Sequence, residues 1–269
     1  MPPPGNSGHN AHAPKAHTVN TLRQNIAAQK ADLDRLRPLS PQGLRNLEHV
    51  VDLELTYTSN AIEGNTLTAS ETMLVIEKGI TIGGKPLKDH LEAIDHHEAI
   101  AYVRDLAGHT DPLTEFDIRT LHGLILKRSQ PEQAGRYADQ GRFVLTDAGR
   151  HGFPSPAEVP ALMGSFAAWL VNAPNTPDTA FSAHRQLVGI HPFNDGNGRT
   201  ARLLMNLILI RGGYPPVAVR PVDRLAYIQA LQDAESGRGA DAFNRLLMER
   251  LHATLGEYLT ALRQALHAR

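Results

Sequence analysis

Thirteen consecutive residues carry most of the chemistry in this sequence: Ile190-His191-Pro192-Phe193-Asn194-Asp195-Gly196-Asn197-Gly198-Arg199-Thr200-Ala201-Arg202. They lie between two stretches of helical periodicity, so they form a loop that feeds a helix N-terminus. Gly196 and Gly198 let the backbone turn tightly and approach a ligand closely. The unbonded N–H groups of the following helix, aided by its dipole, then face an anion. Arg199 and Arg202, spaced i, i+3, share a helix face and can both grip phosphate oxygens. A carboxylate beside such a cradle needs a cation between them, so Asp195 points to Mg²⁺ held by one carboxylate plus phosphates. His191, titratable near neutrality, has the chemistry of a general base.

The elements that position this loop are almost all helical. Apolar residues recur at helix spacing through Leu22–Leu36 and again from Leu44 through Ile62, stopping at Gly64-Asn65. Thr68 and Glu71 form the spacing of a capping box for a helix ending at Gly79. Further helices are predicted at 87–107, 115–128, 178–190, 197–211, 221–235 and 240–267. Arg142–Pro154 reads instead as a short hairpin turning at Asp147-Ala148-Gly149. Ser155-Pro156-Ala157-Glu158 then starts the helix that carries Val159, Leu162, Met163, Phe166, Trp169 and Leu170. The expected fold is all-α with one small β-hairpin. It divides into a disordered Pro/Gly/His-rich tail over 1–17, an N-terminal helical region over 18–110 and a core over 111–269.

One helix end is unusual. Ser59 and Glu63 are spaced i, i+4 and share a face of the last turn before Gly64, where a carboxylate opposes the helix dipole. A carboxylate placed there calls for a partner elsewhere.

Composition narrows the function. The 269 residues hold 27 Lys+Arg against 28 Asp+Glu, a net charge of −1, without the basic excess of a general nucleic-acid or membrane-surface binder. Cysteine is absent, which excludes disulfides, thiolate metal sites and a Cys nucleophile. The first residues contain no apolar h-region, and Leu203–Ile210 is too short to span a bilayer, so a soluble, cytoplasmic protein is expected. Asp89-His90 and Asp95-His96-His97-Glu98 have the spacing of a helix surface rather than of a metal site, and Ser182 with His184 does not make a hydrolase triad.

HPFNDGNGRTAR resembles the HPFx(D/E)GNGRxxR motif of the Fic (Fido) domain at every specified position. The likeness runs from about Thr56 to Phe243 and includes Ala134–Tyr137, the hairpin and Leu203–Leu209. The resemblance implies transfer of AMP from ATP, with Mg²⁺, to a Ser, Thr or Tyr hydroxyl of a target protein. His191 would take the hydroxyl proton, Phe193 would anchor the loop from beneath, and Asp195 would hold the metal. Gly196, Asn197 and Gly198 would cradle phosphate with the Asn197 side chain on it, and Arg199 and Arg202 would bind the β- and γ-phosphates. The hairpin, with Ala148, Gly149, Arg150 and His151, resembles the family's flap, which clamps the target as an added strand. Tyr227 falls where relatives place an aromatic residue near adenine.

Ser59–Asn65 resembles the family's inhibitory pattern (S/T)xxxE(G/N), which implies that Glu63 pairs with Arg202 and restrains activity. Self-modification belongs to the same expectation. AMP removal by the same site, a nucleotide-binding regulatory module without transfer, and a donor other than ATP remain alternatives. The oligomeric state stays open, a homodimer included.

Overall fold

The computed structural model describes residues 14–38, 41–146 and 149–267. Helices α1 (Pro14–Arg35), α2 (Pro41–Ile62), α3 (Ala69–Lys78), α4 (Leu87–Ala107) and α5 (Glu115–Ile125) precede a hairpin of β1 (Phe143–Thr146) and β2 (Gly149–Gly152). Then come α6 (Val159–Asn172), α7 (Pro177–Ile190), α8 (Asn197–Arg211), α9 (Arg224–Glu235) and α10 (Asp241–His267). The fold is the all-α architecture with a single antiparallel hairpin that the periodicity predicts. Asp147 and Ala148, the tip of the hairpin, lie outside the described residues, as does the expected tail up to residue 13; α1 begins at Pro14 rather than near Thr18.

Local signals set most of the boundaries. Thr68 Oγ accepts from the Glu71 amide while Glu71 accepts from the Thr68 amide, and Gly79 closes α3 in the left-handed region at φ 62°. Thr114 and Asp117 repeat the same exchange at the start of α5. Ser155 and Glu158 also bond to each other, but they close a turn, and regular helix begins only at Val159. Helix α5 stops at Ile125, short of the expected 128.

Helix α8 is the centre of the core. Leu203 to Leu209 are buried on every side, as befits a helix that neighbours cover all round. It packs against α7, α4 and α5. Helix α4 is a second interior element, which corrects the expectation of a solvated surface there. Asp95 and His96 are buried. The Asp95 carboxylate accepts from the amides of Arg128 and Ser129 and from the Arg128 guanidinium, so it caps the chain leaving α5. Asp89 does the same for Thr66, through its amide and hydroxyl. No cluster of three or more potential metal ligands occurs among the described residues. None of their helices is long and apolar enough to cross a membrane.

Asn206, the one polar residue in the apolar run of α8, ties the next segment down. Its amide donates to the Val217 carbonyl at 3.1 Å and accepts from the Val217 N–H at 2.7 Å, both buried. Asn206→Leu keeps the branched outline of the side chain but leaves two buried backbone groups unpaired, at a cost of about 2–5 kcal/mol. Urea unfolding should show this as a lower midpoint at unchanged slope; an unaltered midpoint would mean that the segment leading to α9 is held by packing alone.

Candidate active site

The loop from His191 to Gly196 is fixed largely by groups outside it. His191 closes α7 in the left-handed region (φ 51°, ψ 56°), the one non-glycine residue with positive φ among those described. Phe193, fully buried, lies flat on the ring of His122, centroids 3.6 Å apart and planes within 4°. His122 accepts the Gly135 amide at Nδ1 and donates from Nε2 to the Asp195 carbonyl at 3.0 Å. Burial holds its pKa down at about 4, with the nearby Arg199 charge acting the same way. Pro192 O accepts from the Ala138 amide. Gly196 (φ 77°) has no alternative: a Cβ there would come 2.9 Å from Ile125 Cδ1 and 3.2 Å from His122 Cδ2.

His191 is half-buried and meets the demands on a base. A proton on Nδ1, donated to Val188 O at 3.3 Å, leaves the Nε2 lone pair available. Phe153, just past the hairpin, stacks on the ring at 3.8 Å. Burial lowers the imidazole pKa to about 4; the Val188 carbonyl opposes this, and the charge of Arg142 adds to it. The ring is therefore neutral throughout the physiological range.

Asp195 is ionised. Burial pushes its pKa up, but Arg199, the Gln130 side-chain amide and the Gly196 amide outweigh that and hold it below the ordinary carboxylate value. The side chain remains 43% exposed. One accessible carboxylate beside a helix N-terminus fits the donor set of Mg²⁺, which takes one or two carboxylates and completes its shell with phosphate oxygens and water.

No side chain caps α8, so its first amides are available to an anion. An anion already stands nearby. Glu63 Oε1 accepts from Arg202 Nη2 at 2.7 Å, and a Cβ built on Gly198 would lie 2.5 Å from that same oxygen. Arg202 is 4% exposed and fully engaged. Its Nε donates to Ser59 Oγ at 3.0 Å, Nη2 also to the Ser59 carbonyl at 2.9 Å, and Nη1 to the Tyr227 hydroxyl at 3.4 Å. The pairing of Glu63 with Arg202 that the resemblance implies is present in the structure, and the Ser59 contacts to Arg202 are an addition to it.

Three expected roles change. Asn197 does not turn toward a phosphate: its side chain accepts from the Phe193 amide and donates to the Phe193 carbonyl, so it clamps the loop from within. Arg199 points inward as well, 2% exposed, between Glu92 Oε1 at 3.1 Å and Asp195 Oδ2 at 3.4 Å. Tyr227 is 1% exposed and cannot face an adenine. Its hydroxyl donates to His184 Nε2 at 2.8 Å while supporting Arg202. On the hairpin, Gly149 pairs with Thr146, the Arg150 guanidinium sits 3.8 Å from the Phe143 ring centroid, and His151 meets Phe153 edge-on. Sequence reasoning missed His122, Gln130, Arg142 and Phe153. Only His122 gave a signal, as a polar residue among the apolar positions Ile118, Leu121 and Ile125.

The Fic/DOC family model matches residues 112–209. A protein adenylyltransferase Fic of Nematostella vectensis is 38% identical over 210 residues, covering 76% of this chain and 48% of that protein. Its counterpart in Culex quinquefasciatus is 34% identical over 231 residues, covering 84% and 45%. The chain spans about half the length of these curated relatives. The crystal structure of a Fic domain containing signaling protein from Bacteroides thetaiotaomicron superposes with a TM-score of 0.82 at 31% identity, covering 89% of this chain and 97% of that one. Fic-1 (residues 134–508) from C. elegans gives 0.79 at 30% identity, covering 93% and 75%.

The state of His191 is directly measurable. In the free protein its imidazole should titrate near 4, well below the ordinary 6.5, and nucleotide phosphates brought beside it should raise that value by favouring the cation. Imidazole NMR signals followed from pH 3.5 to 8 would show both; a free-protein midpoint near 6.5 would mean that the ring is solvated rather than enclosed.

Proposed function

Because the chain belongs to the Fic/DOC family, we propose that it transfers AMP from ATP to a Ser, Thr or Tyr hydroxyl of a protein, itself included, and that Glu63 restrains the transfer. The observation that carries this reading is a neutral His191 with an unbonded Nε2 in the same loop as an ionised Asp195 and an uncapped helix N-terminus. Nε2 takes the proton of the attacking hydroxyl. The oxygen bonds to the α-phosphorus, and the bond to the β-phosphate oxygen breaks, releasing pyrophosphate. Asp195 would hold Mg²⁺ against the phosphates, which that ion would screen from one another. The amides of Asn197, Gly198 and Arg199 donate to phosphate oxygens, and Arg202 supplies a buried positive charge. The hairpin would hold the acceptor by strand addition along a free edge.

Glu63 sits where phosphate oxygens belong, bonded to the same guanidinium and over the same glycine. It opposes the triphosphate by occupancy and by charge. AMP removal is the second reading. In it the Glu63 carboxylate, whose charge is felt at His191, would position the attacking water.

Replacement of the base tests the chemistry. His191→Ala should cut incorporation of labelled AMP by about 10²–10⁴-fold while nucleotide affinity stays near wild type, since the phosphate contacts lie on α8. Comparable labelling by both proteins would remove His191 from its role.

Replacement of Glu63 tests the restraint. Its side chain is 39% exposed, so solvent screens the pair with Arg202 and a moderate effect is expected. Glu63→Gly should raise labelling of lysate proteins and of itself by roughly 10- to 100-fold, corresponding to about 1.4–2.8 kcal/mol. Equal labelling at equal concentration would rule the restraint out; faster loss of AMP from a modified target in wild type than in Glu63→Gly would favour the second reading.

A further inference from the structure

Beside the loop, between α6 and α7, runs an open groove of about 360 Å³ lined by Pro154, Leu162, Phe166, Gln186, Gly189 and Ile190. None of its lining residues is charged. We propose that this groove receives an apolar side chain of the acceptor protein, a few residues from the hydroxyl that His191 serves. The proposal rests on the acceptor reading above and adds to it the chemistry by which acceptors are chosen.

Position is the first argument. Ile190 immediately precedes His191, and Pro154 immediately follows Phe153, whose ring lies 3.8 Å from that of His191. The groove therefore starts one residue from the base on one side and one residue from its stacking partner on the other. A chain that presents a hydroxyl to His191 carries its neighbours across this surface. Consecutive residues of an extended segment advance about 3.3 Å, with alternate side chains on one face, so the side chain that drops in belongs within about two or three residues of the hydroxyl.

The surroundings supply the second argument. Leu162 is 36% exposed in the groove, and the hairpin that precedes Pro154 in the chain carries two further exposed apolar side chains, Phe143 at 47% and Leu145 at 77%. A Cβ added to Gly189 would meet nothing within 4 Å, which leaves that wall clear. At the edge nearest the hairpin, Arg142 donates from Nη2 to the Pro154 carbonyl, while its Nε and Nη1 are buried without any partner.

The test is an array of Ser-, Thr- and Tyr-containing peptides varied at each flanking position, exposed to Glu63→Gly protein and labelled ATP. Leu, Ile, Met or Phe at one position within three residues of the hydroxyl should enrich labelling about tenfold, the value of burying one such side chain. Leu162→Asp, made in the same background, should erase that preference and favour Lys or Arg at the same position. Leu162→Lys should favour Asp or Glu, a switch that misfolding cannot mimic. Identical positional preferences in all three proteins would overturn the proposal. So would a blank array from protein that labels lysate, because recognition would then lie outside the flanking residues. Protein that labels neither array nor lysate would instead overturn AMP transfer itself, and the groove with it.

Discussion

Arg202 places a charge that cannot be neutralised in the most buried helix of the molecule. A guanidinium keeps its proton at any accessible pH, so the fold must bring acceptors to it or lose several kcal/mol. It brings them from two other places in the fold: Ser59 in the last turn of α2 with Glu63 just past its end, and the Tyr227 hydroxyl from α9. Arg224, at the start of α9, donates to the Ile62 carbonyl and closes α2 onto α9 directly. The relative placement of α2, α8 and α9 is thus set around one cation. Ser59 and Tyr227 hold it from buried positions, while Glu63 is partly exposed and beyond the end of its helix. Under the proposed restraint, activation would be an exchange of anions at Arg202 in which the buried charge is never left uncompensated.

The catalytic loop is governed by a different force, the packing of flat rings. Phe193 lies on His122 and His191 on Phe153, so each end of the loop is pinned by a stack that belongs to another element. Both imidazoles are held neutral by burial, the first cause of depression in each. The consequences differ. Neutral His122 has one donor and one acceptor, and both are spent on fixing the backbone of Asp195 and Gly135. Neutral His191 spends only its donor and keeps its acceptor unbonded. One physical cause, desolvation, makes a clamp in one place and, in the proposed reaction, a base in the other.

Most of the fold was legible because helix ends are written locally. Thr68/Glu71, Thr114 and Gly79 need only their own neighbours to act. The i, i+4 pair Ser59–Glu63 announced itself by opposing the dipole, although the identity of its partner came from family resemblance rather than from periodicity. What failed to show was which face of a helix meets which other element. Asp95 and His96 carry the polar signature of a surface, yet four other helices cover α4, and its carboxylates serve as caps for segments distant in sequence. Asn197 and Tyr227 take outward roles from family resemblance, and Arg199 takes one from its i, i+3 spacing with Arg202. Each is turned inward by a partner that spacing cannot reveal: the Phe193 backbone, Glu92 and His184.

The two glycines of the motif illustrate the same limit, since one residue type answers two unrelated demands. Gly196 is a conformational requirement: its φ of 77° and the Ile125 and His122 atoms behind it exclude any side chain. Gly198 stands inside the first turn of α8 with ordinary helical backbone, and conformation does not call for glycine there. What it provides is empty space beside Arg202, where even one methyl would lie 3.1 Å from Nη1 and 2.5 Å from the Glu63 carboxylate. That space borders three things an anion seeks: unbonded amides, the positive end of a helix, and a buried guanidinium. Arg202 and the carboxylate meet there because the missing side chain lets an anion approach so closely. A larger residue at 198 would crowd Glu63 and, in the proposed reaction, phosphate as well, so the proposed restraint and the proposed transfer depend on the same missing atom.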